Sequence, residues 1–325
     1  MKVLLVDPID PSGEEILRPH AEVVRCSDSS FDGIRRDARE ADALITRSRV
    51  PDDIFEVAPR LRVATIHGTG TDLVPLQSAT EHGVAVAHLP GGNARSVAEY
   101  CVMAMLVLAR NLPVIVNAMK QKPWDETRAL GAKAHEIAAM TAGLVGVGQI
   151  GGRVAKILRN GFGMRVLGNQ RRLDRLPPEA EPASLDVLIE SSDFIVLSCP
   201  LTDETRHLFN RNRISAMKPS AWLINVGRGA VVEEAALIEA LQEKRIAGAM
   251  LDVYEHYRIE PGNPLLSLDN AVLTPHLSGM TRESRQRMST AAAEETLRML
   301  AGEKPSNFVN PEVWSRFIER RPQDR

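Results

Sequence analysis

Cysteine is scarce in this 325-residue chain: Cys26, Cys101 and Cys199 are an odd number and show no CxxC spacing. That excludes a disulfide framework and fits reduced thiols in an intracellular compartment. None of the three stands in a motif that marks a nucleophile, and no metal site is expected. Charge of one sign is also lacking, because 40 Lys and Arg against 42 Asp and Glu leave a formal charge of −2. Nucleic acid and anionic membranes are therefore not expected as partners. The basic run RFIERRPQDR at 316–325 reads as a solvated tail. Long hydrophobic runs are missing as well. The longest apolar stretch, from Val97 to Ala109, contains Glu99 and is far shorter than the roughly 20 residues a membrane span needs. The start, MKVLLVDPID, has neither the apolar run nor the small-residue cleavage site of a signal peptide. There is no low-complexity segment. These absences predict a cytoplasmic globular protein.

What is present is an ordinary globular composition, 44% apolar and 25% charged, in a chain long enough for two domains. Short β-branched runs recur at 2–7, 22–26, 42–46, 62–67 and 84–89, separated by helix-like stretches such as FDGIRRDARE and VPLQSATEHG. That alternation predicts a parallel sheet covered on both faces. A largely apolar helix follows from about Ala94 to Arg110, with Asn93 and Ser96 available as caps, and then a poorly periodic arm up to about residue 140. A second series runs through the strands TAGLVGVG, MRVLGN, DFIVLSC, AWLINVG, AGAMLDV and AVLTPH. Its first helix, QIGGRVAKILRNG, is expected to close at Gly161, and the chain is expected to finish with a helix over about 283–301 and an extended tail. The fold class is thus α/β, with two doubly wound parallel-sheet domains and a boundary near residues 90–95.

The second series opens on GVGQIG, where Gly146, Gly148 and Gly151 follow a strand and Gln149 and Ile150 begin a helix. In that context the glycines serve a tight turn, close backbone approach to a pyrophosphate, and close helix–strand packing. About twenty residues on, an NAD site would carry an acidic residue for the ribose. Asn169 and Gln170 stand there instead, followed by Arg171 and Arg172. A carboxylate would repel a 2′-phosphate, whereas two guanidiniums beside a neutral amide attract it. NADP(H) is the expected cofactor, with NAD(H) possible.

Past the ends of later strands lie INVGRGAVV (224–232), LDVYEHYRIEPGNPLL (251–266) and LTPHLSG (273–279). Arg228 offers a planar fork for a carboxylate, and at His276 the residue type, with an unperturbed pKa of about 6.5, suits proton exchange near neutrality. With NARSVAEY (93–100), GVGQIG and CPLTDETRHLFN (199–210), these segments resemble the D-isomer-specific 2-hydroxyacid dehydrogenase family over nearly the whole chain. The resemblance implies a flavodoxin-like substrate domain, residues 1–94 with 282–325, around a Rossmann cofactor domain, residues 95–281. It implies a homodimer joined through the cofactor domain, with the nicotinamide in the cleft between the domains. It makes Arg228 and His276 catalytic, and it adds Cys199, Pro200 and Asp252 to the cofactor site. One position departs from the family pattern, which has a glutamate five residues after Asp252 to pair with the histidine; here the residue is Tyr257. Two arrangements stay open: Glu260 reaches His276 through a rearranged loop, or Tyr257 takes the place as a neutral partner.

For the substrate, ITRSRV resembles a stretch that faces substrate in phosphoglycerate dehydrogenases, which makes Arg47, Ser48 and Arg49 candidates. The HGTGTD loop offers the N–H groups of Thr69 and Gly70 to a carboxylate, and Asn93 matches a hinge asparagine of the family. The expected function is NADP(H)-linked reduction of a small 2-oxoacid such as hydroxypyruvate or glyoxylate. The alternatives are an NAD-dependent phosphoglycerate dehydrogenase and, from another class, a dinucleotide-sensing corepressor.

Overall fold

Strands of two to five residues, mostly Val, Leu, Ile and Ala, build both sheets. In the computed structural model, which describes residues 1–320, β1 (Lys2–Leu5), β2 (Glu22–Arg25), β3 (Ala43–Thr46), β4 (Val63–Ile66) and β5 (Ala85–Ala87) lie parallel in the order β2-β1-β3-β4-β5. Leu4 is paired with Val24 on one side and Leu44 on the other. Every residue of β3, β4 and β5 is buried, which explains why these strands read as unbroken apolar runs rather than as alternation. The connecting helices are α1 (Pro11–Leu17), α2 (Phe31–Ala38), α3 (Ile54–Val57) and α4 (Leu76–Glu81). Two begin at side-chain caps: Asp10 accepts the Ser12 N–H and Ser30 accepts the Gly33 N–H. This strand order is flavodoxin-like, and its direction reverses between β1 and β3.

After the first sheet come α5 (Ala94–Ala109), α6 (Leu112–Met119) and α7 (Trp124–Ala129). The second sheet alternates β6 (Thr141–Val145), α8 (Gln149–Phe162), β7 (Arg165–Asn169), β8 (Glu181–Pro182), α9 (Leu185–Ser191), β9 (Phe194–Leu197), α10 (Arg211–Ser215), β10 (Trp222–Asn225), α11 (Glu234–Gln242), β11 (Gly248–Leu251) and β12 (Ala271–Leu273). Its seven parallel strands run β12-β11-β10-β9-β6-β7-β8, a Rossmann order with one strand added, and its switch point lies between β6 and β9. On one face Cys101, Met105 and Leu108 of α5 and Val154 and Leu158 of α8 pack on Leu144, Val166 and Phe194. On the other, Leu188, Ile214 and Leu237 pack on Ile195, Leu223 and Leu251. Each such aliphatic side chain contributes about 1.5–3 kcal/mol. The chain then enters α12 (Arg282–Leu300) and α13 (Trp314–Glu319). Two compact units result: Met1–Asn93 with the chain from Met280 onward, and Ala94–Gly279.

Three details differ from the sequence expectation. Helix α8 runs through Gly161 and closes at Gly163, whose φ of +67° only glycine adopts easily and whose N–H reaches the Leu158 carbonyl. The expected irregular arm is largely helical, as α6 and α7. The C-terminal segment is docked as far as the described residues extend. Phe317 is fully buried, while Arg316 donates to the Glu81 carbonyl at 2.6 Å and Arg320 to the Pro59 carbonyl at 2.7 Å. Glu81 is the last residue of α4, so Arg316 caps a helix-end carbonyl, and these basic residues are docked rather than a solvated tail. The end of that basic run, 321–325, lies outside the described residues. Among the described residues no single helix is long and apolar enough to cross a membrane.

Candidate active site

At the switch point of the seven-stranded sheet, Gly146 ends β6 with φ +87°, and a Cβ there would sit 2.6 Å from the Cys199 nitrogen. Ser198 Oγ donates to the Gly146 carbonyl at 2.7 Å. A Cβ on Gly151 would lie 2.3 Å from the same carbonyl, whereas one on Gly148 would meet nothing within 4 Å. Two of the three glycines therefore serve packing, and the third leaves open space before the helix. Helix α8 starts at Gly148 without a side-chain cap, at the end of the glycine turn. The N–H groups of Gln149, Ile150 and Gly151 are thus left to an outside acceptor, and an uncapped N-terminus beside open space fits a pyrophosphate.

The edge of the same site follows β7. Asn169 Nδ2 donates to the Ala183 carbonyl at 2.9 Å and Gln170 Nε2 to the Arg172 carbonyl at 2.8 Å. No carboxylate ends the strand. Arg172 forms a two-pronged pair with Asp174 at 3.0 and 2.9 Å, so of the two arginines only Arg171 is without a carboxylate partner among the described residues. Cys199 is buried against Gly146, and burial pushes its thiol up to about 11. Pro200 is exposed, and its carbonyl takes the Thr205 hydroxyl at 2.7 Å.

Asp252, at the end of β11, is completely buried and organises the loop that carries His276. Its carboxylate accepts Thr274 Oγ1 at 2.7 Å, Leu277 N–H at 2.8 Å and Ser278 N–H at 2.9 Å. Its carbonyl accepts the His276 N–H at 2.9 Å. Tyr100 of α5 and Tyr254 bond the same threonine, at 2.6 and 2.9 Å, and burial pushes the Tyr254 phenol up to about 12. His276 itself is held at φ +52°, a left-handed conformation that a histidine adopts only where surrounding bonds over-determine it. The role of Asp252 as the loop's anchor was not foreseen from sequence. A buried aspartate at a strand end was the available signal. The Tyr257 ring stands edge-on to His276, centroids 6.0 Å apart. Glu260 is exposed, and its side chain makes no hydrogen bond or ion pair among the described residues.

Arg228 lies one loop away, past β10. Asn225 shapes that loop: its Nδ2 donates to the Arg228 carbonyl at 3.0 Å, and its Oδ1 accepts the Gly227 N–H at 3.1 Å. The guanidinium is half-buried, and Nη1 donates to the Gly227 carbonyl at 3.0 Å. Gly229 is pressed onto the next loop, where a Cβ would lie 1.8 Å from the Tyr254 carbonyl group. Behind it, His207 Nε2 and Glu255 Oε1 are 2.6 Å apart. This histidine–glutamate pair also escaped the sequence reading, because its members are 48 residues apart in the chain.

The first unit carries its own polar edge at the switch point beside β1 and β3. Asp7 takes the Arg47 N–H at 2.7 Å, the Ser48 N–H at 2.9 Å and Ser48 Oγ at 2.6 Å, so both Ser48 donors are consumed internally. Arg49 is paired with Asp52. The Arg47 guanidinium and the N–H groups of Thr69 and Gly70 meet no protein acceptor among the described residues. Asn93 Oδ1 is buried and accepts from no donor among the described residues.

His67, at the end of β4, is buried, and its Nε2 lies 2.9 Å from Ser289 Oγ. Ser289 Oγ also accepts the Asp10 N–H at 2.9 Å, and its hydroxyl can pair with the neutral ring in either tautomer. Burial, reinforced by Arg47 and Arg285 and opposed by Asp7, lowers the His67 pKa from 6.5 to about 4. Between those values the unfolded chain binds a proton here and the folded chain does not. The stability present above pH 6.5 is therefore lost as pH falls toward about 4. Going from about pH 7 to about pH 5 should cost about 2 kcal/mol through this one ring. Urea midpoints for the wild type and His67→Asn should show a clearly shallower pH slope in the variant. Equal slopes would remove His67 from the acid response.

A profile of the family described as "D-isomer specific 2-hydroxyacid dehydrogenase, NAD binding domain" matches residues 102–278. A glyoxylate reductase from Aeropyrum pernix is 36% identical over 327 residues, covering 96% of each chain. A D-3-phosphoglycerate dehydrogenase from Methanocaldococcus jannaschii is 36% identical over 318 residues, or 95% of this chain, which spans only 59% of that protein's length. Among solved structures, the NADPH-dependent glyoxylate/hydroxypyruvate reductase of Sinorhizobium meliloti, in complex with NADP and malonate, is 28% identical. It covers 96% of this chain and 97% of its own, with a TM-score of 0.83. The chain belongs to the D-isomer specific 2-hydroxyacid dehydrogenase family of NAD(P)-dependent oxidoreductases.

Proposed function

We propose that this enzyme is an NADP(H)-dependent reductase of small 2-oxoacids such as hydroxypyruvate or glyoxylate, with unit 2 as the dinucleotide-binding domain and unit 1 as the substrate domain. The observation that carries the reading is the Arg228–His276 pair of loops, each built by a buried polar residue, Asn225 or Asp252, at the end of a neighbouring strand. The uncapped N-terminus of α8 would hold the pyrophosphate, and the bound nicotinamide supplies the hydride. Arg228 binds the substrate carboxylate through its fork and polarises the adjacent carbonyl. His276 delivers the proton to the carbonyl oxygen as the alcohol forms, and takes it back in oxidation. In unit 1 the unclaimed donors of Arg47, Thr69 and Gly70 suit the same anionic class of ligand.

The NADP preference rests on the neutral end of β7 and on Arg171, whose neighbour Arg172 is held by Asp174. Arg171→Ala should raise the KM for NADPH about tenfold and leave that for NADH within about twofold. A parallel change in both would refute a 2′-phosphate contact. The apolar residues Met103, Leu106, Leu112, Val116, Met119 and Trp124 of α5, α6 and α7 are exposed. A patch of that kind fits a second copy of the chain, and sedimentation as a monomer at micromolar concentration would exclude it. A cytoplasmic location belongs to the same reading.

A further inference from the structure

Three loops leave the carboxyl ends of β9, β10 and β11, and a single carboxylate gathers them. His207 and Phe209, from the loop after β9, donate their N–H groups to the Ala230 and Val231 carbonyls at 2.8 and 2.9 Å. Glu255, from the loop after β11, meets His207 Nε2 with Oε1 at 2.6 Å and accepts the Glu234 N–H with Oε2 at 3.2 Å. Glu234 returns the contact, accepting the Glu255 N–H at 3.1 Å, and its other oxygen takes Asn263 Nδ2 at 2.8 Å. Glu255 thereby satisfies an N–H of the first turn of α11, a place that favours negative charge. Within this frame Gly229 lies against the Tyr254–Glu255 peptide with no room for a Cβ, and Arg228 is the residue before it.

The geometry points to His207 and Glu255 as positioning residues that fix the direction of the Arg228 guanidinium. The argument is one of leverage. Arg228 is bonded on its own loop through Asn225 and Gly227, and the loop is held from behind by the His207 and Phe209 N–H groups, by the contact of Gly229 with Tyr254, and by Glu255, which ties α11 to His207. His207 has φ +50°, a strained conformation for this residue type, consistent with a side chain held for its partner. A shift of about an ångström in a carboxylate-binding fork is enough to cost a large factor in productive binding. The inference rests on Arg228 as the substrate-carboxylate ligand.

The test uses the intact enzyme with NADPH and hydroxypyruvate. His207→Asn suits the purpose, because asparagine tolerates the left-handed backbone while its short side chain cannot reach Glu255. Glu255→Ala removes the other half, and Glu255→Gln keeps the shape and one acceptor, which can still take the Glu234 N–H while the amide NH2 donates to the neutral imidazole. In the first two variants KM for hydroxypyruvate should rise about tenfold, with kcat within about threefold of wild type and NADPH affinity unchanged. Glu255→Gln should recover most of the loss, and it also guards against an Ala variant that fails to fold. A fall in thermal midpoint with KM unmoved would reduce the pair to a structural tie and overturn the proposal. So would a loss of NADPH affinity in step with KM, which would mean a general loosening of the domain. Arg228→Gln, measured alongside, separates the two levels: a wild-type KM there defeats the reading of Arg228, whereas a raised KM there with none in the pair variants defeats only this inference.

Discussion

Replacing Arg228 with Gln is expected to lower kcat/KM for a 2-oxoacid about a thousandfold, or about 4 kcal/mol of transition-state stabilisation, and to leave NADPH affinity near wild type. The size follows from what is removed. A half-buried guanidinium makes two parallel charge-assisted bonds to a carboxylate, and loss of one partner of such a pair costs about 2–5 kcal/mol. The bonds that Asn225 makes to this loop go to the backbone of Gly227 and Arg228, so they should survive the change. Lysine should rescue little, since a point charge does not reproduce the fork. If Arg228→Gln retains more than about a tenth of the wild-type kcat/KM, Arg228 does not bind the carboxylate.

His276→Gln should have its effect in kcat, with a fall of about a thousandfold, because glutamine fills the space but carries no transferable proton. The neighbouring residues decide the pH dependence. Tyr257 faces the imidazole edge-on at 6.0 Å, and Glu260 is exposed without a side-chain partner among the described residues. Glu260→Gln should therefore leave the basic limb of the kcat profile in place. Tyr257→Glu puts a carboxylate beside the imidazolium and should move that limb about one unit to higher pH. A basic limb that shifts in Glu260→Gln instead would assign the partner role to Glu260 and refute the Tyr257 arrangement.

These predictions draw unequally on sequence. The strands were legible because doubly buried parallel strands are short runs of Val, Ile, Leu and Ala, and the glycine turn was legible from its place between strand and helix. Strand β8 was not, since two residues ending in Pro182 at a sheet edge carry no pattern. Gly161, the first glycine near the helix end, reads as the close of α8, but of the two glycines only Gly163 takes the positive φ. The docked arginines of 316–320 looked like any solvated charge run, because their carbonyl partners are more than 200 residues away. At the site, Arg228 and His276 stood at strand ends where chemistry is expected. The residues that hold them are less legible: Asn225 is a buried polar group ending an apolar strand, Asp252 reads from sequence as a cofactor-site residue rather than as the anchor of the His276 loop, and Glu255 finds its partners, His207 and Glu234, only in three dimensions. Spacing alone leaves Tyr257 and Glu260 as alternatives; the Tyr257 ring lies edge-on to His276, and the pH profiles of the two variants decide between them.

The most direct test is NADPH oxidation by the purified enzyme across a panel of 2-oxoacids, including glyoxylate, hydroxypyruvate and its phosphate ester. The predicted result is turnover of at least one small 2-oxoacid, with NADPH preferred over NADH and with the activity abolished by Arg228→Gln and His276→Gln. Tight NADPH binding without turnover of any member of the panel would contradict it and would favour a dinucleotide-sensing role.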